Sequence, residues 1–485
     1  MNLAENQAIA EQALGLKVSN FSIIRCCFYQ HKSLIKNKST MTNHKKTLLK
    51  TALLLSLTAS FGQQLHAQEE DTEVKKTAVP TKQYTSEISA VANKPAVKKA
   101  FQTIVDLQPQ TLQDHMLLTE IPAPPYKEMV RAKKYAEMMK AAGADSVWID
   151  NVGNVIAKRK GKSGKKTIAL EAHLDTVFPE GTDVKIKHKG DTLYAPGVSD
   201  DTRALAVVLT VLKAVEKNKI ETEDDVLFIG AVGEEGQGDL RGVKNLFSAN
   251  SPGKIDAYIA IDGTGVNGIT HRGLGSHRYR ITFKGLGGHS SGAFGLANPH
   301  NALARAIHYW VLDADKFTRE KGARLTYNVG VIGGGTSVNA IPFESWMEVD
   351  MRSESPERVA TIDKMLQNAV QKGLQEENQM KRSGPDLTVD VKLIGDRPSG
   401  VEDPNTALVQ RAIAATSFIQ ATPTLGVGST NSNIPISKGV PAVTLGSGGK
   451  SGGAHALGEW WLDDKGYQAT QRALLVLLSE AGIAK

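Results

Sequence analysis

A chain of 485 residues exceeds the size at which a single hydrophobic core usually stops growing, so two structural units are expected. Its 41% hydrophobic and 22% charged residues suit a globular protein rather than a disordered or fibrous one. The formal charge of +7 is local: eight of the 58 Lys/Arg and two of the 51 Asp/Glu lie in residues 1–67, leaving 50 basic against 49 acidic residues, which excludes a chain-wide footprint for nucleic acid or an anionic membrane.

The N-terminal excess has a local cause. In "MTNHKKTLLKTALLLSLTASFGQQLHA", residues 41–67, Lys45, Lys46 and Lys50 lead into an apolar stretch from Leu48 to Phe61, and Ala67 offers a small residue for cleavage, as in a secretory signal peptide. The stretch is shorter than the roughly 20 residues that span a membrane, so no anchor is expected after signal removal. Met41 is then the expected start and residues 1–40 an upstream misreading, with the mature protein periplasmic or secreted. Cys26 and Cys27 both fall in that leader, which leaves the mature chain without disulfides, thiolate nucleophiles or cysteine-type zinc sites. Residues 68–97 are polar, poor in aromatics and punctuated by Pro80 and Pro95, and read as a flexible segment.

Beyond it, "TIALEAHLD", "DVLFIGAVGEE", "AYIAIDG" and "VPAVTLGSGG" read as buried strands. Between the first two, Leu205, Val208, Leu209, Leu212 and Val215 share one face of a helix. This alternation predicts an α/β fold with a mostly parallel sheet flanked by helices, in residues 98–274 and 397–485. Residues 275–396 follow a different pattern. "SHRYRITFKG" alternates, a helix is expected near residues 301–317, and Met347, Val349 and Met351 alternate with Trp346, Glu348, Asp350 and Arg352. A charged helix at about 356–379 and the strand "LTVDVKLIG" complete an inserted α+β unit with one solvated sheet face.

Polar groups capable of metal or proton chemistry follow the strands. His173 and Asp175, Glu234 and Glu235, Asp262, and His455 each lie beyond an apolar run, and Asp200 and Asp201 precede the helix at Thr202. Ligands in open α/β sheets bind beyond the carboxyl ends of strands, so these groups are expected on one rim. Taken singly, each has a plainer explanation: Asp200 or Asp201 as a helix N-cap, Glu234-Glu235 as a solvated loop, Asp262 before Gly263 as a turn. The five carboxylates of Asp200, Asp201, Glu234, Glu235 and Asp262 in one cleft would repel, and divalent cations would remove that cost. Histidines and carboxylates without thiolates suit zinc, with manganese or cobalt compatible with the same donors. "TLGSGGKS" is close to a phosphate loop, but Thr444 stands where its first glycine belongs.

The ordered set "HLDTV", "GVSDD", "GEEG", "IDG", "GGHSS", "GGTSVNAIP" and "GGAH" resembles the di-zinc exopeptidase family of peptidase T, carnosinase-type dipeptidases, aminoacylase and glutamate carboxypeptidase, over roughly residues 98–485. The resemblance implies a catalytic domain in two parts, with residues 275–396 as an inserted lid that mediates dimerisation. It implies two zinc ions, His173 and Asp262 holding one, Glu235 and His455 the other, and Asp200 bridging. Asp175 would orient His173, Glu234 would be the general base, and His289 would stabilise the oxyanion, in its own or a partner subunit. Asn339 and Arg352 resemble residues that hold a substrate carboxylate. Asp262, in place of glutamate, is similar to the peptidase T and dipeptidase branch and implies short peptides, with N-acyl amino acids as the alternative. Two departures are Arg203, displaced by one from the family's usual lysine, and Asn431, where close relatives carry aspartate.

Overall fold

The computed structural model describes residues 76–249, 251 and 253–484. The signal segment at 41–67, the leader at 1–40 and both cysteines lie outside the described residues. β1 (Lys76–Thr77), β2 (Ser146–Ile149), β3 (Val155–Arg159), β4 (Thr167–His173), β5 (Lys187–Lys189), β6 (Thr192–Tyr194), β7 (Asp225–Ala231), β8 (Ala257–Ile261) and β9 (Gly268–Gly273) come first. Next are β10 (Gly275–Lys284), β11 (Gly288–His289), β12 (Leu325–Gly334), β13 (Ala340–Ile341), β14 (Glu344–Ser353) and β15 (Thr388–Arg397). The chain returns with β16 (Gly400–Val401), β17 (Thr424–Gly428), β18 (Ala442–Leu445), β19 (Lys450–Gly452) and β20 (Trp460–Leu462).

The main sheet runs β1-β17-β9-β18-β8-β4-β7-β3-β2, with β16 on β9. Its centre, β18-β8-β4-β7, is parallel. These four strands are the apolar runs of the sequence, and nearly every residue in them is buried because helices cover both faces. The helix Thr202–Lys217 is buried almost all round rather than on the one face its periodicity suggested. The helices Pro95–Asp106, Gln108–Thr119 and Tyr467–Ala481 pack against it and take up the second face.

Residues 275–397 build a separate antiparallel sheet, β12-β14-β10-β15, and the short pair β11-β13. Alternation along β14 is strict: Met347, Val349 and Met351 are buried while Trp346, Glu348, Asp350 and Arg352 are half-buried on the opposite face. The helices Pro299–Thr318 and Pro356–Met380 cover the apolar face and close a core of their own around Trp310, Phe283 and Leu366. Both helices begin with proline after a capping side chain: Asn298 accepts from the His300 N–H and Ser355 from the Arg358 N–H.

The N-terminal segment corrects the sequence expectation. Residues 82–92, read as flexible, form a helix that buries Ile88 and Ala92, and β1 adds antiparallel to β17. Tyr84 and Val91 pack against the same core, and Glu87 pairs with Arg411 at 2.7 Å, which seats a helix that polar composition disguises. No helix among the described residues is long and apolar enough to cross a membrane.

Candidate metal centre

The parallel strands deliver their polar ends to one rim. His173 closes β4; its Nε2 lies 3.0 Å from Asp200 Oδ1, and Asp200 Oδ2 lies 3.0 Å from His455 Nε2. His455 Nε2 is also 2.9 Å from Glu235 Oε1. Asp200 thus turns one oxygen to each histidine. Three donor groups lie within 4.8 Å internally: His173, Asp200, Asp201 and Asp262; His173, Glu234 and Glu235; and Asp200, Glu235 and His455.

Asp175 is fully buried and accepts the N–H groups of Glu234 at 2.9 Å and Glu235 at 2.8 Å. Its Oδ1 is 3.6 Å from His173 Nδ1, whose closer contact is the Asp175 carbonyl at 3.0 Å. The carboxylate therefore fixes the Glu234-Glu235 turn as firmly as it faces the histidine. Asp201 is the N-cap residue of the helix at Thr202, yet its side chain does not cap it. Its Oδ2 accepts the His173 N–H at 3.1 Å, and its buried Oδ1 has no hydrogen-bond partner.

Burial dominates the electrostatics. It raises Glu234 and Glu235 to about 7, against the opposing pull of Arg397 on the first and His455 on the second. Burial and then the Asp200 charge raise Asp262 to about 7, and burial, Asp262 and Asp200 hold Asp201 well above the carboxylate range. For Asp175 burial acts upward, but bonds from His173 and the two amides outweigh it and lower its pKa. Hydrogen bonds to Asp200 and Glu235 raise His455 to about 10. Burial acts to lower His173, but Asp201, Asp175 and Asp200 together raise it well above the histidine range. So much acceptor charge in a buried cleft, two histidines facing a shared carboxylate, and an unpartnered Asp201 oxygen fit divalent cations bound through nitrogen and oxygen.

The lid residues stand apart. β11 pairs with β13, and the Ser290 N–H donates to the Asn339 carbonyl at 2.9 Å, which places His289 and Asn339 side by side. His289 is exposed, its Nδ1 turned to Ser291 at 3.0 Å, and no hydrogen bond or ion pair among the described residues joins it or Asn339 to the metal-binding groups. Arg352 bonds Asp350 through Nε at 2.7 Å, and Asp350 also accepts from Arg278 Nε at 2.8 Å. Arg278 Nη1 reaches the Gly236 carbonyl at 3.3 Å, one residue past Glu235.

One residue escaped sequence reasoning here. Arg397, the last residue of β15, donates from Nη1 to Glu234 Oε1 at 3.0 Å and from Nη2 to the Glu234 carbonyl. It lies 163 positions from Glu234, and a single arginine before a proline gives no sequence signal. The two departures acquire reasons. Arg203 is buried, stacks 4.8 Å over Trp461 and donates to the Ser447 carbonyl at 3.3 Å, tying the helix at Thr202 to the loop after β18. Asn431 donates to Glu171 Oε1 at 2.8 Å, a position where an aspartate would set carboxylate against carboxylate. The phosphate-loop alternative fails: Lys450–Gly452 is a strand, not the start of a helix, and Lys450 pairs with Asp464.

Comparison with known proteins agrees with this geometry. Over 165 residues, 34% of this chain and 45% of the relative, it is 33% identical to a putative [LysW]-lysine/[LysW]-ornithine hydrolase of Pyrococcus furiosus, so the match spans under half of that protein. In structure it is similar to aminopeptidase PepT of Bacillus cereus, with a TM-score of 0.60 at 20% identity over 77% of this chain and 99% of that one. It is also similar to the YXEP protein of Bacillus subtilis, described as a dinuclear metal-binding peptidase, with a TM-score of 0.56 at 16% identity over 77% and 98%. These likenesses establish the fold. Residues 169–480 match the Peptidase family M20/M25/M40, and the chain belongs to that family of metallopeptidase-type hydrolases.

Proposed function

We propose that the protein is an exported, zinc-dependent exopeptidase that removes a residue from short peptides. The observation that carries the reading is Asp200 divided between His173 and His455, with the Glu234 carboxylate in the same cleft. His173, Asp200 and Asp262 form one donor set and Asp200, Glu235 and His455 the other. Divalent cations held there would supply Lewis acidity toward the scissile carbonyl and would lower the pKa of a water.

Glu234 does the proton work. From its place beside both donor sets it takes a proton from the attacking water and returns it to the leaving amine. Asp175 keeps it in place through the backbone of the turn. Arg352 and Asn339 bind the substrate carboxylate, and His289 stabilises the oxyanion. Residues 275–396 serve as lid and homodimer contact, and His289, exposed on that unit, acts on its own or on a partner subunit's site. Residues 41–67 direct export and are removed.

The partial match to a [LysW]-lysine/[LysW]-ornithine hydrolase favours a second reading, hydrolysis of an amide that releases an amino acid from a larger acyl group. A panel of dipeptides, tripeptides and N-acyl amino acids, incubated with zinc, manganese, cobalt or chelator, separates the two. Chelator-sensitive release of an N-terminal residue is the expected result. Preferential deacylation moves the protein to the second reading, and no turnover with two ions bound removes both. Glu234→Gln should keep its metal and lose turnover; substantial residual activity refutes the base assignment.

A further inference from the structure

Glu459 lies four residues after His455, at the entrance to β20, and is completely buried. Its carboxylate takes every bond from one short loop. Oε1 accepts the Ser199 N–H at 2.7 Å, the Ser199 hydroxyl at 2.7 Å and the Asp200 N–H at 3.0 Å, while Oε2 accepts the Gly197 N–H at 2.8 Å. Its backbone carbonyl accepts the Ala195 N–H at 3.1 Å, and Trp460 pairs with Tyr194 of β6 next door. No lysine or arginine pairs with it among the described residues, so a buried acidic side chain is balanced by backbone and hydroxyl donors alone.

The loop so held is the one that presents Asp200. Its other side is fixed too: the Thr202 hydroxyl donates to the Gly197 carbonyl at 2.8 Å, and a Cβ on Gly197 would come within 2.6 Å of Thr176 Cγ2. The segment carrying Glu459 is the one that presents His455. One side chain therefore connects the backbones of two metal-binding groups that are 255 residues apart in sequence and meet at 3.0 Å.

We infer that Glu459 is a positioning residue of the metal centre, presetting Asp200 Oδ2 and His455 Nε2 for the cation that they share with Glu235. The inference rests on the two-cation reading above. It implies asymmetry. The set formed by Asp200, Glu235 and His455 depends on Glu459 at two of its three members, the set around His173 and Asp262 only through Asp200. Partners that orient metal ligands are worth about 10–100-fold in affinity, so the loss should fall mainly on one ion.

The test is titration of the full chain, stripped of metal by a chelator, with Co2+ followed by calorimetry and visible absorption. Glu459→Gln keeps the shape but turns an N–H2 toward the Gly197 N–H. The expected result is one Co2+ bound as in the wild type and one about 10–100-fold more weakly, with the absorption of the second altered. Ser199→Ala, which removes a single donor and should fold, is expected to weaken the same ion less. Leu366→Ala, in the core of the other sheet, should lower stability and leave both affinities alone. Wild-type affinities in both Glu459→Gln and Ser199→Ala overturn the inference, as does an equal loss in Leu366→Ala. A wild-type protein that binds no Co2+ overturns the metal reading itself and the inference with it.

Discussion

Arg397 and Glu234 form an ion pair at 3.0 Å in which both side chains are 6% exposed, and the same guanidinium also holds the Glu234 main-chain carbonyl. Of two adjacent glutamates, one is held by an arginine and the other faces a histidine. That division leaves Glu234 outside the set that Glu235 forms with Asp200 and His455, and it comes from the strand leading out of the smaller sheet.

Arg397→Met is therefore expected to cut kcat by about 10²-fold, the scale of a reacting group displaced by about 1 Å. Breaking a buried pair by removing one partner should also cost about 3–5 kcal/mol in urea unfolding. Steady-state kinetics within twofold of wild type would refute the positioning.

Gly197→Ala tests the loop from the other side. The residue sits at φ +79°, and the added methyl would collide with Thr176. Stability should fall by more than about 1 kcal/mol, and binding of both ions should weaken because Asp200 moves with the loop. Calorimetry of the metal-free variant reads the second effect directly.

A pH dependence is expected at the smaller sheet. His277 bonds Asp363 through Nδ1 at 2.8 Å and faces Asp396 at 3.5 Å, while the Tyr279 hydroxyl shares Asp363. The bond to Asp363 raises the His277 pKa, against burial. A histidine raised on folding stabilises fully below its unfolded pKa near 6.5 and loses that contribution as pH rises through the folded value. The stability advantage of wild type over His277→Gln should accordingly shrink from pH 6 to pH 9. A gap that widens with pH would contradict the arrangement.

Met347→Ala probes the core of that sheet. The side chain is fully buried against the helices that cover it, and its loss should cost about 2–5 kcal/mol in denaturant unfolding. Co2+ affinity should stay unchanged, since no bond from Met347 reaches the metal-binding groups.

What was legible in the sequence follows from how each residue works. His173, Glu235 and Asp262 end apolar strands, and a polar group at that place in a parallel sheet is a local signal. Strict alternation made β14 readable for the same reason. Arg397 and Glu459 act on partners 163 and 260 residues away, and a lone charge in a linker looks the same whether it reaches solvent or a buried carboxylate. The helix at Lys82–Ala92 was hidden because its few core-facing residues are interspersed with polar ones and one of its anchors, the Glu87–Arg411 pair, is distant in sequence. Arg203 showed only as a departure until its stacking on Trp461 gave it a structural task.

The position of β18 has a consequence for biogenesis. This strand, residues 442–445, is inserted between β8 and β9, which the ribosome releases about 180 and about 170 residues earlier. Until it emerges, both neighbours present open edges able to pair with another chain. A truncation short of residue 442 should thus aggregate rather than fold as a smaller enzyme, and the nascent protein has reason to remain shielded until its last helix is made.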